Sequence, residues 1–180
     1  MTNTTHTFIP GLTLSRKLYA DWVAPFIHSQ WPNLNYSAAL IGDGSEVLGF
    51  DTPRSTDHDW GPRVYLFLEP KDFAVAKPII TGLETHLPTT LWGSAVAFAD
   101  GDRSKGFSET QQTCGSPLHG VEAFTLSSFF RSYLAIDIHQ PLTALDWLTL
   151  PEARLLSVTS GAVFHDDLGL QKLRERLSYY

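Results

Sequence analysis

Leu40-Ile41-Gly42-Asp43-Gly44-Ser45-Glu46-Val47-Leu48-Gly49, followed by Ser55-Thr56-Asp57-His58-Asp59-Trp60, is the stretch that decides how this chain is read. It opens at the end of a short apolar run, Tyr36 to Ile41, whose composition predicts a buried strand. Gly42-Asp43-Gly44 ends that strand. A glycine after a strand lets the backbone approach an anion closely, and Ser45 offers a hydroxyl and an N–H to the same anion. A helix starting near Ser45 would add its N-terminal amides. No Gly-Lys-Ser/Thr comes after it, so this is not a Walker loop.

After Ser45 and eleven intervening residues come Asp57 and Asp59, just before or at the start of a second strand, Arg63 to Leu68. Strand alternation would project both carboxylates to one side. At about 4 Å two such charges repel by roughly 4 kcal/mol at an effective dielectric of about 20. That arrangement is stable with a cation between them or a shared proton. Magnesium suits it, since that ion prefers oxygen ligands and commonly takes one or two carboxylates plus substrate phosphates. His58 points the other way and reads as a packing or hydrogen-bonding residue. A second such pair, Asp100-Gly101-Asp102, sits among Gly and Ser, where solvated turn carboxylates are the ordinary reading.

A hydrophobic run, Gly-Ser, a gap of this length and Asp-x-Asp together resemble the signature of the DNA polymerase β-like nucleotidyltransferase superfamily. The phrases YSAALIGDGSEVLGFDTPRSTDHDWGPR and LHGVEAFTLSSFF are similar to an uncharacterised bacterial domain-of-unknown-function family within it, from about Phe8 to the end of the chain. The resemblance implies a small mixed sheet flanked by helices, with a helical C-terminal tail that continues in relatives into a longer helical region. It implies that Asp57 and Asp59 hold a divalent metal, Mg2+ or Mn2+, and that Gly44 and Ser45 face a nucleoside triphosphate, ATP being the expected one. A third carboxylate from a later strand would serve as metal ligand or base. Glu122, in the apolar setting Val121-Glu122-Ala123, is the best match, because an acid inside an apolar strand is costly to bury without a partner. A strand-edge Glu facing water is its bland alternative, and Asp100 is the other candidate for the third position.

The expected activity is transfer of a nucleoside monophosphate to an acceptor hydroxyl on a small molecule or protein. The rival reading is a noncatalytic nucleotide-binding or scaffold domain of the same fold, against which the intact acidic triad speaks; fold alone never guarantees activity. A more remote one is an HD-type phosphohydrolase, suggested by His58-Asp59 and His165-Asp166. Such doublets belong in helices, and His58-Asp59 lies between Pro53 and a strand.

Outward from the core stretch, apolar Leu14, Leu18, Trp22 and Phe26 recur every four residues, which predicts a helix from about Leu14 to Gln30, kinked at Pro25. A helix from about Lys71 to Leu87 carries Pro78; a third strand runs from Ser94 to Ala99; Asp100 to Gly120 reads as a long surface loop. A fourth strand spans Val121 to Thr125. Helices come next at Ser127 to Leu134, around Leu142 to Leu148, from Pro151 to Gly161 with Thr149 as cap, and from Leu168 to Tyr180. This order gives an α+β (mixed α/β) fold, with a catalytic domain over 1–137 and a helical extension over 138–180.

With 43% hydrophobic and 18% charged residues over 180 positions, the chain has the material for one folded core. A net charge of −6 with no basic cluster argues against nucleic acid as a partner. No apolar run approaches the roughly 18 residues of a membrane span, and MTNTTHTFIPG lacks the features of a signal peptide, so the cytoplasm is the expected compartment. Cys114, the single cysteine, has no activating neighbour and reads as a bystander. The five tryptophans read as core anchors, with Trp60 an alternative shield for the site. Arg54 and Arg63 flank the aspartates and are candidates either for a phosphate contact or for a salt bridge. His119 could reach the site, although a loop role is favoured.

Overall fold

β1 (Tyr36–Leu40) and β2 (Val64–Leu68) are buried at every residue. A strand covered on both faces can be apolar throughout, which is why both stand in the sequence as continuous runs. The computed structural model describes residues 8–57, 61–88, 90–92, 94–95 and 119–178. The two strands pair antiparallel, with Ala39 opposite Tyr65 and Ala38 opposite Leu66. β5 (Val121–Phe124) adds parallel to β2, and β6 (Ala162–Asp166) adds antiparallel to β1, giving the order β5-β2-β1-β6. A short hairpin of β3 (Thr90–Leu91) and β4 (Ser94–Ala95) stands apart from this sheet. The remainder of the strand expected to Ala99, and Cys114, lie outside the described residues.

Alternation along the strands sorts the core into two layers. Ala38, Val64, Leu66, Leu68, Val121 and Ala123 face Leu18, Val23, Ile27, Ile79 and Leu83 on the N-terminal helices and α3 (Ala76–His86). Ala39, Ile41, Tyr65, Phe67 and Phe124 face Phe129, Phe130 and Tyr133 of α4 (Leu126–Leu134), together with the two C-terminal helices. Helices thus cover both faces of a mixed sheet, the α+β arrangement expected. The described tryptophans sit at the margins: Trp22, Trp31 and Trp92 are half-buried against the first layer and Trp147 against the second, so phenylalanines fill the centre instead.

The first helix is not continuous. α1 (Gly11–Leu18) passes into a π-helical turn, Tyr19–Val23, before α2 (Ala24–Gln30). Pro25 has no N–H to continue the ladder and crowds the preceding turn, and the Ala24 N–H reaches five residues back to the Tyr19 carbonyl. Pro78, by contrast, falls in the first turn of α3, where no intrahelical N–H is required. A 3-10 turn, Pro70–Val75, precedes it. α4 begins at a reciprocal capping box between Thr125 and Ser128.

The C-terminal segment departs most from expectation. Thr149 does not cap the helix after it; it ends α5 (Ala144–Thr149), and its hydroxyl donates back to the Leu145 carbonyl. α6 (Glu152–Thr159) starts at Pro151 and stops short of Gly161, whose φ of +76° turns the chain into β6. The segment 138–180, expected to be helical, therefore supplies an edge strand of the central sheet. Arg174 on α7 (Leu170–Ser178) closes the end of α6, donating from Nε to the Val158 carbonyl (3.0 Å) and from Nη2 to those of Thr159 and Ser160 (both 2.7 Å). Among the described residues no helix is long and apolar enough to cross a membrane.

Asp166 ties β6, β1 and α7 together. It accepts from the Ser37 hydroxyl (2.6 Å), the Leu170 N–H (2.8 Å) and the Gln171 N–H (3.0 Å). Partial burial works against its charge, but these donors win and hold its carboxyl below the usual range. A depressed native pKa means stability that is present above the unfolded-state pKa of about 3.9 and is lost as pH falls through the native value. Because the group is largely exposed, the contribution is that of an ordinary helix cap, about 1 kcal/mol. Asp166→Asn is expected to lower stability by about 1 kcal/mol at neutral pH, and the gap should close as the pH is taken well below 4. Denaturant titrations across that range check it; a gap that persists in acid would show that the charge contributes nothing.

Candidate functional site

The C-terminal end of β1 and the N-terminal ends of β2 and β5 meet at one edge of the sheet. β1 runs into a turn at Gly42 and Gly44, with φ of +97° and +143°, values that L side chains rarely adopt. Three elements hold this turn. The Gly42 N–H donates to the Ser157 carbonyl of α6 (2.8 Å), and the Asp43 N–H donates to the Tyr133 hydroxyl of α4 (3.2 Å). From the start of β2, Arg63 Nη2 donates to the Asp43 carbonyl (2.8 Å) and forms an ion pair with Glu46. The turn then closes on itself through Val47 N–H to Gly44 carbonyl (3.2 Å) and Phe50 N–H to Ser45 carbonyl (2.9 Å). Ser45 is exposed at its crest.

Arg63 is anchored in its turn. Its N–H donates to the buried Ser15 hydroxyl of α1 (3.0 Å), and the next N–H, Val64, donates to the Gly120 carbonyl (2.8 Å). Gly120 permits that approach, because a Cβ there would strike the Pro62 carbonyl. Burial alone would press the guanidinium to give up its charge. Tyr65, Glu46 and Glu122 around it more than compensate and hold its pKa above the ordinary value. Glu46 is 4% exposed and the Arg63 side chain 15%, so the pair is largely withdrawn from water. Tyr133 is also pushed up, by its burial first and by Tyr65 next, which keeps its hydroxyl neutral beneath the turn.

Glu122 lies on β5 opposite Tyr65, half-buried, within the field of Arg63. Gly44, Ser45, Arg63 and Glu122 thus share one end of the sheet. Asp57 has a different backbone setting than expected: it closes a 3-10 turn, Pro53–Asp57, and β2 starts only at Val64. Pro53 presets the backbone for that turn. Asp57 is therefore not part of a strand. Its side chain, together with His58, Asp59, Trp60 and Asp100, lies outside the described residues. Among the described residues no three acids, histidines or cysteines gather as a metal cluster.

Two histidine readings resolve into structure. His119 is buried on the α3 side, with Nε2 at 3.0 Å from the Ile80 carbonyl and Nδ1 accepting from Val121 N–H (3.1 Å). His165 and Asp166 lie in β6, not in a helix, and at the other end of β1. His165 pairs with Asp167 (2.8 Å) and stacks on Tyr36, ring centres 4.5 Å apart. Asp43, Glu46 and Tyr133 are site residues that the sequence pattern alone does not single out. An available signal was Glu46 itself, an acid set directly between the Gly-Ser turn and the apolar pair Val47-Leu48.

The model of a family described as a domain of unknown function (DUF4037) matches residues 147–180. That span covers the end of α5, then α6, β6 and α7, and includes none of Gly44, Ser45, Asp57, Asp59 and Glu122. No curated protein and no solved structure matches the chain.

Gly44 is the residue at this site with least freedom to change. A Cβ there would collide with Arg63 Nη2 and lie 2.7 Å from Glu46 Oε2, on a backbone at φ +143°. Gly44→Ala is expected to lower stability by roughly 1–3 kcal/mol, measured by denaturant unfolding, while Gly49→Ala, where a Cβ meets nothing, carries only its backbone strain at φ +73°. Equal losses in the two variants would show that Arg63 and Glu46 do not confine the turn.

Proposed function

We propose that the chain is a metal-dependent nucleotidyltransferase, moving a nucleoside monophosphate from a nucleoside triphosphate, ATP first among them, to an acceptor hydroxyl on a small molecule or protein. The observation that carries this reading is the turn after β1. Among the described residues nothing accepts from the N–H groups of Gly44, Ser45 and Glu46. They stand together beside the Ser45 hydroxyl on a backbone that three other elements hold in place. Consecutive free amides of this kind suit a phosphate. The Asp57 and Asp59 pair comes next in the sequence.

On this reading the turn amides and Ser45 take the β- and γ-phosphates. Asp57 and Asp59, with Glu122 or Asp100 as third acid, have the all-oxygen donor chemistry that Mg2+ or Mn2+ prefers. Such an ion, when bound, supplies positive charge to the phosphate oxygens. The acceptor oxygen forms its bond to the α-phosphorus as the bond to the β-phosphate breaks, and pyrophosphate leaves with that electron pair. Glu122 is placed by the proposal to take the acceptor's proton.

Incubation with each α-phosphate-labelled nucleoside triphosphate, magnesium and a cell extract as acceptor source tests the proposal: label should move to an acceptor. Asp57→Asn and Asp59→Asn should each cut that rate by at least about a hundredfold with folding unchanged, and full activity in both would overturn the assignment. Ser45→Ala should weaken triphosphate binding about ten- to a hundredfold in a calorimetric titration, the worth of one hydrogen bond to a charged group. Binding without any transfer would instead favour the noncatalytic reading.

A further inference from the structure

Resting on that reading, we infer that Arg63 is a positioning residue: its guanidinium, tied to Glu46, holds the Gly44-Ser45 turn in the shape that receives a triphosphate, and does not itself bind phosphate. An arginine beside a phosphate turn is ordinarily read as an anion ligand, but Nη2 of this one is directed into the turn. Nη2 is committed to the Asp43 carbonyl and to Glu46, both within the turn. Glu46 neutralises its charge, and the pair is largely withdrawn from water. Binding a phosphate would require Arg63 to abandon a buried carboxylate, a loss that one new ion pair does not clearly repay.

The bare backbone at Gly44 is shaped by the same contact. The space its Cβ would occupy is filled by Nη2 of Arg63 and a carboxylate oxygen of Glu46, so this glycine makes room for the strut. The arginine is also incompletely satisfied: its Nε–H is buried without a partner among the described residues. An unsatisfied buried donor is a cost that the hydrogen-bonding needs of the side chain itself do not explain. Arg174 makes the contrast. It spreads Nε and Nη2 over three carbonyls at the end of α6 and closes a helix. Arg63 leaves a donor unused and braces a turn whose own amides are free.

The test compares wild type with Arg63→Lys, Glu46→Ala and Glu46→Gln in the full chain, with Mg2+ and ATP as the probe. Hydrogen exchange of amides 43–48 is measured without nucleotide, and ATP affinity by calorimetry. Arg63→Lys keeps the charge but loses the fork, and Glu46→Ala removes the acceptor. Both should speed exchange in the turn and weaken ATP by about tenfold or more, with α7 amides unchanged. Glu46→Gln keeps an accepting oxygen and should rescue most of both effects. If Arg63 is instead a phosphate ligand restrained by Glu46, Glu46→Gln will free it and tighten ATP binding, which overturns the inference. Unchanged turn exchange in Glu46→Ala overturns it as well. Should Arg63→Lys fail to fold, the two Glu46 variants decide alone. A wild type that binds no ATP yet shows the exchange contrast removes the transferase reading and leaves the strut standing.

Discussion

β1 is the strand on which both halves of the core depend. It is hydrogen-bonded along both edges, to β2 and to β6, and covered on both faces. Its middle residues, Ser37, Ala38 and Ala39, are small, which leaves the volume above and below to large side chains from neighbouring elements. Register is therefore the governing constraint. With Ala39 opposite Tyr65, the aromatic set Tyr65 and Phe67 falls beside Phe129, while Leu66 and Leu68 fall beside Ile79 and Leu83. A slip by one residue would exchange the faces and force phenylalanines into space shaped for aliphatic groups.

Both ends of this strand are fastened by polar groups, in different ways. At its start the Ser37 hydroxyl donates to Asp166 and accepts from the Leu168 N–H (3.1 Å), so β6 and the cap of α7 are joined to β1 through one buried oxygen. The bulge between Ala38 and Ala39 on the β6 side sits between that lock and the turn. At its far end the chain leaves the sheet through two glycines, and Tyr133, Ser157 and Arg63 each grip the backbone of the Gly42–Gly44 turn. A turn fixed from α4, α6 and β2 does not need a ligand to give it shape. Preformed amides avoid the ordering cost that a loose loop would bear on binding.

How far each element could be read from the sequence depends on what that element is for. β1 and β2 were legible because strands buried on both faces are apolar without interruption. β6 was not, because Ala162-Val163-Phe164-His165-Asp166 is half-buried at a sheet edge, with its polar end serving as a helix cap. The π-helical turn was foreshadowed only as a kink at Pro25. At the site, Gly44 and Ser45 could be singled out by type and spacing, and Glu122 by an acid in an apolar run. The pairing of Glu46 with Arg63 could not, since seventeen positions separate them and only the antiparallel β1–β2 register brings them together. The strand pattern does not extend to Asp57 for a local reason: Pro53 starts a 3-10 turn, and β2 begins only at Val64.

The electrostatics of this sheet end sharpen the proposed chemistry. Asp43, Glu46 and Glu122 belong to it, in a chain of net charge −6. The one cation built into its interior among the described residues, Arg63, is neutralised by Glu46 and shares its field with Glu122. A triphosphate arriving here would find that arginine already paired with a carboxylate. Its positive complement would have to come from the amide dipoles of Gly44 to Glu46, from a divalent cation on the aspartates, and from arginines outside the strut. Arg54 meets that last condition: it is exposed on the 3-10 turn that leads into Asp57, and among the described residues it makes no ion pair. The two arginines flanking the aspartates therefore differ in kind on this reading, Arg63 committed to shape and Arg54 left to charge.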